Sequence, residues 1–172
     1  MRYKPHDYQR YAADFIKNHP IAALLLSMGL GKTSITLTAI NDLLFDSFEV
    51  SRILVIAPIR VTRVWAEEIE KWDHLRGLTY SIAVGTAEER KTALSRKADI
   101  YIINRENVGW LIDEMPFDFD MIIIDELSSF KNHQTKRFKA LMKARPKAKR
   151  IVGLTGTPTG CLLYTSDAAD EL

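Results

Sequence analysis

This sequence has almost no cysteine, no long apolar run and no apolar segment near its start. Cys161 is the single cysteine, so no disulfide bond can form within one chain, as is typical of reducing compartments. The longest apolar run, residues 21–26, is far shorter than the ~20 residues that a membrane-spanning helix needs. Residues 1–15 lack the apolar core of a signal peptide. These absences predict a cytoplasmic protein with no membrane partner.

The net charge is also small, at +2, and does not by itself indicate a protein that binds nucleic acid. The charge is unevenly distributed, because residues 131–150 carry nine Lys or Arg and no Asp or Glu. A solvated helix face and a surface that meets a polyanion both fit this basic run, and composition leaves the two open. The length of 172 residues is that of one globular domain.

Short apolar runs alternate with longer amphipathic segments along the chain. Strands are predicted at residues 22–27, 52–58, 79–84, 99–104, 119–125 and 149–156. Helices are predicted at residues 32–45, 63–72, 86–96, 106–112 and 135–144. Runs such as ILVIA and MIII are continuously apolar, as in strands that are covered on both faces. The alternation predicts an α/β fold, a mostly parallel sheet with helices on both faces, whose ligands bind beyond the carboxyl ends of the strands.

The first predicted strand is followed by the segment SMGLGKTS. Gly29 and Gly31 permit a tight turn whose N–H groups point inward, Lys32 can reach a phosphate, and the Thr33 hydroxyl can ligate Mg²⁺. The strict phosphate-loop pattern has glycine where this chain has Leu26, but the context of strand, glycine-rich turn, Lys-Thr and helix fits. The alternative is a plain glycine turn with a solvent-exposed lysine.

The fifth predicted strand is followed by DELS. Asp125 ends an apolar strand, where a carboxylate is costly unless it meets a cation. Asp125 could therefore hold Mg²⁺, and Glu126 could orient or deprotonate a water molecule. Alone, such a pair is more often a helix cap or a surface pair, but a phosphate loop earlier in the chain favours the functional interpretation. The TGTP turn after the last strand is too short to decide anything by itself.

Taken together, SMGLGKT, IDELSSFKN and LTGTP resemble, in order, motifs I, II and III of the Swi/Snf-like branch of superfamily-two helicases. KPHDYQRYAADFI resembles the Q motif of that branch, and VIAPIRVTRVWAEEIEKW resembles its motif Ia. The variant DELSSFKN is similar to phage-encoded members. The resemblance runs from Tyr3 to about Gly160, and five motifs in the right order make it specific.

The resemblance implies the first RecA-like lobe of a P-loop NTPase, at residues 1–160, with ATP and Mg²⁺ as cofactors. It places Gln9 against the adenine, and it implies catalytic roles for Lys32, Asp125 and Glu126 and metal binding by Thr33 and Asp125. The implied nucleotide-binding residues are Gln9, Gly29, Leu30, Gly31, Lys32, Thr33 and Ser34.

The resemblance also implies residues that contact nucleic acid or couple it to the ATP site. These are Pro58, Arg60, Arg63, Ser128, Thr155, Gly156 and Thr157. Arg60 and Arg63 are the phosphate-contact candidates, because cations on a loop after a strand suit recognition of a nucleic-acid backbone. Ser128 stands where the family has a histidine that helps this coupling, so the coupling is expected to differ in detail.

Other side chains near these motifs have weaker signals. Trp65 and Trp72 lie seven residues apart, which predicts a buried helical stripe rather than contact with nucleic acid. Asn104, Arg105 and Glu106 follow the fourth predicted strand and could also face nucleic acid.

The family works at a cleft between two lobes, so the resemblance implies a nucleic-acid-dependent ATPase motor of which this chain is one lobe. We expect the chain alone to hydrolyse ATP barely or not at all. DNA is the expected track, with RNA left open, and the expected location is the host-cell cytoplasm if a phage encodes the protein. The alternatives are a non-catalytic nucleotide- or DNA-binding module and another P-loop translocase, such as a packaging or restriction subunit.

The sequence changes character after Gly160. Residues 161–171 match, letter for letter, what a widely used transposase sequencing adapter encodes in one reading frame. We therefore expect residues 161–172 to be a non-native tail that packs poorly against the lobe.

Overall fold

In the computed structural model of the chain, residues 1–130 and 136–156 are described. Their centre is a six-stranded sheet with the strand order β1-β6-β5-β2-β4-β3, in which every pairing is parallel. The strands are β1 (Ile21–Leu25), β2 (Ile53–Ala57), β3 (Tyr80–Ala83), β4 (Ile100–Asn104), β5 (Met121–Asp125) and β6 (Arg150–Thr155).

The helices are α1 (Asp7–Asn18), α2 (Lys32–Phe45), α3 (Thr62–Lys71), α4 (Ala87–Ser95), α5 (Val108–Glu114) and α6 (Lys136–Ala144). Short 3₁₀ turns follow β2, β4 and β5, so the chain bends tightly where it leaves those strands. Such tight turns fix the direction in which the first side chains after each strand point.

The sheet separates two apolar cores. One core packs α1, α2 and α3 on the first face, with Ile53, Val55 and Ala57 of β2 pointing into it. The other packs α4, α5 and α6 on the second face, with Leu54 and Ile56 of the same strand. Alternate residues of one strand thus enter opposite cores, which explains why the central strands are apolar at every position.

The register brings the carboxyl ends of five strands to one edge. Leu25 of β1 pairs with Thr155 of β6, and Ala57 of β2 pairs with Asn104 of β4. Asp125, the last residue of β5, pairs with a residue of β6 one position before Thr155. The loops after β1, β2, β4, β5 and β6 therefore emerge side by side.

The predicted fold class is confirmed, and all six predicted strands are present with bounds that differ by one to two residues at most ends. The sheet is entirely parallel among the described strands, which is more uniform than predicted. Helix α1 was not predicted. Thr157 and the predicted tail at residues 161–172 lie outside the described residues. No helix within residues 1–130 or 136–156 is both long and apolar enough to cross a membrane.

Candidate functional site

The loop between β1 and α2 is shaped by two glycines in the left-handed region. Gly29 has a φ of 82° and Gly31 a φ of 81°, a conformation that other residues adopt only at a cost. Helix α2 then begins at Lys32, as the sequence predicts. The N-terminus of α2 and the lysine side chain therefore face the same space, which is the arrangement that binds anions in phosphate loops.

Helix α1 supports this loop. The Tyr8 hydroxyl donates a hydrogen bond to the Leu30 carbonyl oxygen at 3.1 Å, and Gln9 Nε2 donates to the same oxygen at 3.4 Å. The Gln9 amide lies so close to Gly31 that a Cβ atom there would come within 2.6 Å of Nε2. Gln9, predicted to contact adenine, is thus beside the loop, and only glycine fits at position 31 without moving it.

Lys32 links the loop to the last strand. Its Nζ donates to the Leu26 carbonyl oxygen at 2.9 Å and lies near Gly156, where an added Cβ atom would be 3.7 Å from it. The Leu26 N–H in turn donates to the Thr155 carbonyl oxygen at 3.1 Å. Thr155 and Gly156, predicted to couple the ATP site to nucleic acid, are therefore next to the lysine.

Asp125 is buried at the end of β5, with 8% of its surface exposed. Its Oδ2 accepts a 2.9 Å hydrogen bond from Trp65 Nε1, and its Oδ1 accepts another of 2.9 Å from the Glu126 N–H. Burial raises the pKa of Asp125 above its ordinary value, although these two hydrogen bonds and the charge of Lys32 act in the opposite direction. A buried carboxylate held by neutral donors gains from a bound cation.

Trp65 is fully buried, so the prediction that it belongs to the core is confirmed. Its hydrogen bond to Asp125 was not predicted, because the two residues are 60 positions apart in the sequence. Trp72 differs from the prediction, since α3 ends at Lys71 and the Trp72 ring packs at the rim of the core just after it.

Glu126 adopts a φ of 56°, in the left-handed region, directly after β5. Its Oε1 accepts a 2.6 Å bond from Arg60 Nη2, and its Oε2 lies 3.7 Å from Arg105 Nη1. The side chain is 39% exposed. Strained backbone of this kind clusters at functional sites and persists when neighbours hold it. Here the Glu126 N–H donates to Asp125 Oδ1, and the Glu126 carbonyl oxygen accepts a 2.9 Å hydrogen bond from the Ser129 N–H.

The donor set fits a magnesium ion. Thr33 and Asp125 line the same cleft, and both offer oxygen atoms, which Mg²⁺ prefers. Within the described part of the chain, no group of three or more His, Cys, Asp and Glu side chains is placed to hold a metal ion. An ion at Thr33 and Asp125 would therefore take further ligands from phosphate and water, as Mg²⁺ commonly does.

A cleft of about 1010 Å³ joins these features. Of the residues predicted for nucleotide binding, catalysis or metal binding, it is lined by Gln9, Gly29, Gly31, Lys32, Thr33, Ser34, Asp125 and Glu126. Arg60, Ser128, Thr155 and Gly156 also line it. Residues 1–4 and His6 form a further wall that was not predicted, although the resemblance began at Tyr3.

Three further described candidates, Pro58, Arg63 and Leu30, do not line this cleft. Pro58 is buried at the start of the turn after β2, where its carbonyl oxygen accepts a 2.8 Å hydrogen bond from the Val61 N–H, and its contact with nucleic acid stays a prediction. Arg63 is exposed on the first turn of α3. Leu30, the one predicted nucleotide-binding residue not lining the cleft, contributes its carbonyl oxygen as the acceptor for Tyr8 and Gln9.

The part of the basic run that the structure describes, residues 136–150, is not a uniform surface. Arg150 is 8% exposed, and its guanidinium donates to the carbonyl oxygens of Ile16 and Lys17 at 3.0 Å each and pairs with Glu49. This arginine therefore ties β6 to the end of α1. Lys136 and Lys143 are exposed on α6, and Lys147 is exposed just after it.

A parallel sheet covered by helices on both faces, with a Lys-Thr loop after β1 and an Asp-Glu pair at the end of β5, defines a P-loop nucleotide-binding lobe of the RecA-like kind. The sequence profile of the SNF2-related domain matches residues 14–161. The chain belongs to the SNF2-related domain family.

Similar proteins come from phage and from animals. Protein p41 of Acyrthosiphon pisum secondary endosymbiont phage 1 is 34% identical over 166 residues, which covers 91% of this chain and 36% of the phage protein. The SWI/SNF-related matrix-associated actin-dependent regulator of chromatin subfamily A-like protein 1 of Xenopus tropicalis is 32% identical over 167 residues, covering 94% of this chain and 17% of that protein. The chain thus spans little more than a third of the first relative and less than a fifth of the second.

Two solved structures share the fold. The Sulfolobus solfataricus SWI2/SNF2 ATPase core in complex with dsDNA superposes with a TM-score of 0.78 at 28% identity, over 91% of this chain and 32% of that one. The UvsW helicase from bacteriophage T4 superposes with a TM-score of 0.69 at 19% identity, over 90% of this chain and 53% of that one. The second similarity is one of fold alone.

Proposed function

We propose that this chain is the ATP-binding lobe of a DNA-dependent ATPase motor, a helicase or translocase of the Swi/Snf-like type. The observation that carries the proposal is the meeting of the Lys32 loop with Asp125 and Glu126 in one cleft. Phosphate contacts, a metal-binding carboxylate and a carboxylate beside the attacking water are the groups that ATP hydrolysis requires. The similar core solved with dsDNA and a relative named as a DNA annealing helicase support DNA as the track.

In this proposal the loop at residues 29–34 surrounds the phosphates of ATP. The N–H groups of the glycine turn and of the first turn of α2 face the anion. Lys32 would exchange its hydrogen bond to the Leu26 carbonyl for one to a phosphate oxygen, since this bond already holds Nζ beside the loop. Gln9 would contact the adenine, because α1 already places its amide against Gly31.

Thr33 and Asp125 would hold Mg²⁺ through oxygen atoms. When bound, Mg²⁺ would neutralise negative charge on the phosphate oxygens. Glu126 would orient the attacking water and accept its proton, since its carboxylate lines the cleft next to Asp125. Trp65 would keep the Asp125 carboxylate in place through its 2.9 Å hydrogen bond.

A second RecA-like lobe would complete the cleft and supply an arginine finger, which is worth ~10³–10⁵ in rate in enzymes of this kind. On this lobe, Arg60 and Arg63 would contact the DNA backbone, and Ser128, Thr155, Gly156 and Thr157 would couple that contact to ATP. The host-cell cytoplasm is the location we propose, because one relative is a phage protein.

Nucleotide binding tests the proposal on the chain itself. Titration of a fluorescent ATP analogue with Mg²⁺ should give saturable binding, and Lys32→Ala should weaken it by about 10- to 100-fold, the usual value of a charged hydrogen bond. Lys91→Ala, an exposed lysine on α4, is the matched control and should bind like the wild type. Equal binding by the Lys32 and Lys91 variants would contradict the phosphate role of Lys32.

Catalysis requires a form of the protein that carries both lobes. DNA should stimulate its ATP hydrolysis, and Lys32→Ala should abolish that stimulation. A two-lobe protein that keeps its full function after Lys32→Ala would instead support a non-catalytic DNA-binding module.

A further inference from the structure

The carboxylate of Glu126 is held between two arginines from neighbouring loops. Arg60 follows β2 and Arg105 follows β4, and the sheet order places β2 between β5 and β4. Arg60 Nη2 lies 2.6 Å from one carboxylate oxygen of Glu126, and Arg105 Nη1 lies 3.7 Å from the other. Both oxygens of Glu126 thus face a guanidinium.

The two arginines differ in how firmly they are held. Arg105 is 22% exposed and also bonds Glu106 Oε1 at 3.1 Å, while Asn104 Nδ2 donates to the other oxygen of Glu106 at 3.1 Å. Arg60 is 67% exposed and stands on a short 3₁₀ turn. Arg105 is therefore anchored in a network after β4, whereas Arg60 can leave Glu126 by a change in its own side chain.

The bond from Arg60 occupies Oε1 of Glu126, an oxygen that would otherwise be free to accept a hydrogen bond from a water molecule. The paired state of Glu126 is therefore poorly suited to the role that the proposed function gives it.

A nucleic-acid phosphate is the natural competitor for an exposed arginine, since guanidinium groups bind phosphate and carboxylate through the same geometry. We propose that Arg60 is an exchangeable partner, which pairs with Glu126 in the absence of a polyanion and with a DNA backbone phosphate in its presence, so that DNA binding releases Glu126. This inference rests on the proposed function for the role of Glu126, but the exchange itself is a binding equilibrium that can be tested without ATP.

If DNA binding releases Glu126 from Arg60, then the pairing of Glu126 with Arg60 must weaken DNA binding to the same extent, because binding free energies are reciprocal. DNA must therefore bind more tightly when the Glu126 charge is removed. Fluorescence anisotropy with a short labelled DNA duplex, at low salt, measures this on the full 172-residue chain. Glu126→Gln should tighten DNA binding by about two- to fivefold, the range expected for an exposed ion pair. The same substitution in an Arg60→Ala background should have no effect.

The controls separate this exchange from a general loss of negative charge. Glu67→Gln, an exposed residue of α3, changes the net charge equally and should leave DNA affinity unchanged. Arg60→Gln provides a second background, and thermal melting checks that each variant is folded. Tightening by Glu126→Gln that persists without Arg60, or that Glu67→Gln reproduces, would overturn the exchange. Absence of DNA binding by both wild type and Glu126→Gln would overturn it as well, whereas failure of ATP binding alone would count only against the proposed function.

Discussion

Asp125 keeps a carboxyl group in the interior of the fold, and this has a consequence for stability. Burial raises its pKa in the folded state, so the folded protein binds this proton more tightly than the unfolded chain does. Wherever the folded state binds more protons, the free energy of unfolding falls as pH rises. As pH rises from the ordinary pKa of an Asp to the raised pKa of Asp125, the contribution of this residue to the free energy of unfolding decreases. Above the raised pKa the contribution is constant.

Asp125→Asn removes this titration. We expect the free energy of unfolding of the variant, relative to wild type, to increase as pH rises through that acidic window and then to level off. Urea denaturation at a series of pH values, without Mg²⁺ or nucleotide, measures the difference. Asp113→Asn, at an exposed position of α5, is the control. A difference that grows in favour of wild type as pH rises would show that the sign is wrong.

Residue identities in the site were largely readable from the sequence, but their contacts were not. Lys32, Thr33, Asp125 and Glu126 stand in motifs whose chemistry is local, and all four line one cleft. The hydrogen bond from Trp65 to Asp125 joins residues that are 60 positions apart, so no local sequence pattern predicts it. The pairing of Arg60 with Glu126 requires β2 to lie beside β5 in the sheet. Along the chain, β3 and β4 come between these two strands, so their neighbourhood cannot be read from the sequence.

Among the elements, the loop between β1 and α2 is the one that requires a particular residue, glycine at position 31. Gly31→Ala would place a Cβ atom in the left-handed region and within 2.6 Å of Gln9 Nε2. We expect a loss of about 1–2 kcal/mol in the free energy of unfolding from the backbone alone, measured by urea denaturation. The Gln9 side chain would also turn away and release the Leu30 carbonyl.

A second glycine provides the comparison for that variant. Gly109 lies inside α5, and apart from its chain neighbours and the nearby backbone of that helix no atom lies within 4 Å of an added Cβ. Gly109→Ala should therefore raise the free energy of unfolding by about 0.5–1 kcal/mol, because alanine favours a helix more than glycine does. If the Gly31 variant were as stable as the Gly109 variant, the strain assigned to the loop would be wrong.

The strands were predicted well because each is a compact apolar run, whereas α1 was missed. Only Ala12, Ala13 and Ile16 of that helix are buried, so its apolar face is narrow. Polar residues fill the remaining positions, and two of them, Tyr8 and Gln9, are needed to contact the loop after β1. The apolar residues of α1 nevertheless recur at helical spacing and leave the opposite face polar, so this helix was predictable from the sequence.

At the scale of the whole molecule, the site presents an open cleft rather than an enclosed one. Lys32, Asp125 and Glu126 line this cleft from one lobe, and the proposed function has a second lobe add an arginine finger to them. We expect the 172-residue chain to release phosphate from ATP at close to the background rate, with or without DNA. A malachite-green assay measures this, and strong DNA-stimulated turnover by the chain alone would refute the need for a second lobe.

The strand order also determines when the site can assemble during protein synthesis. β6 is the last of the described strands to be translated, yet it lies between β1 and β5 in the sheet. Until residues 150–155 leave the ribosome, β1 has no parallel partner among the described strands. The Lys32 loop, which follows β1, is then not positioned by the sheet. Pairings between distant parts of a chain form slowly, because the intervening loop must first be closed. The phosphate loop is therefore among the first parts of the site to be translated, but it reaches its final position only after β6 has paired with β1.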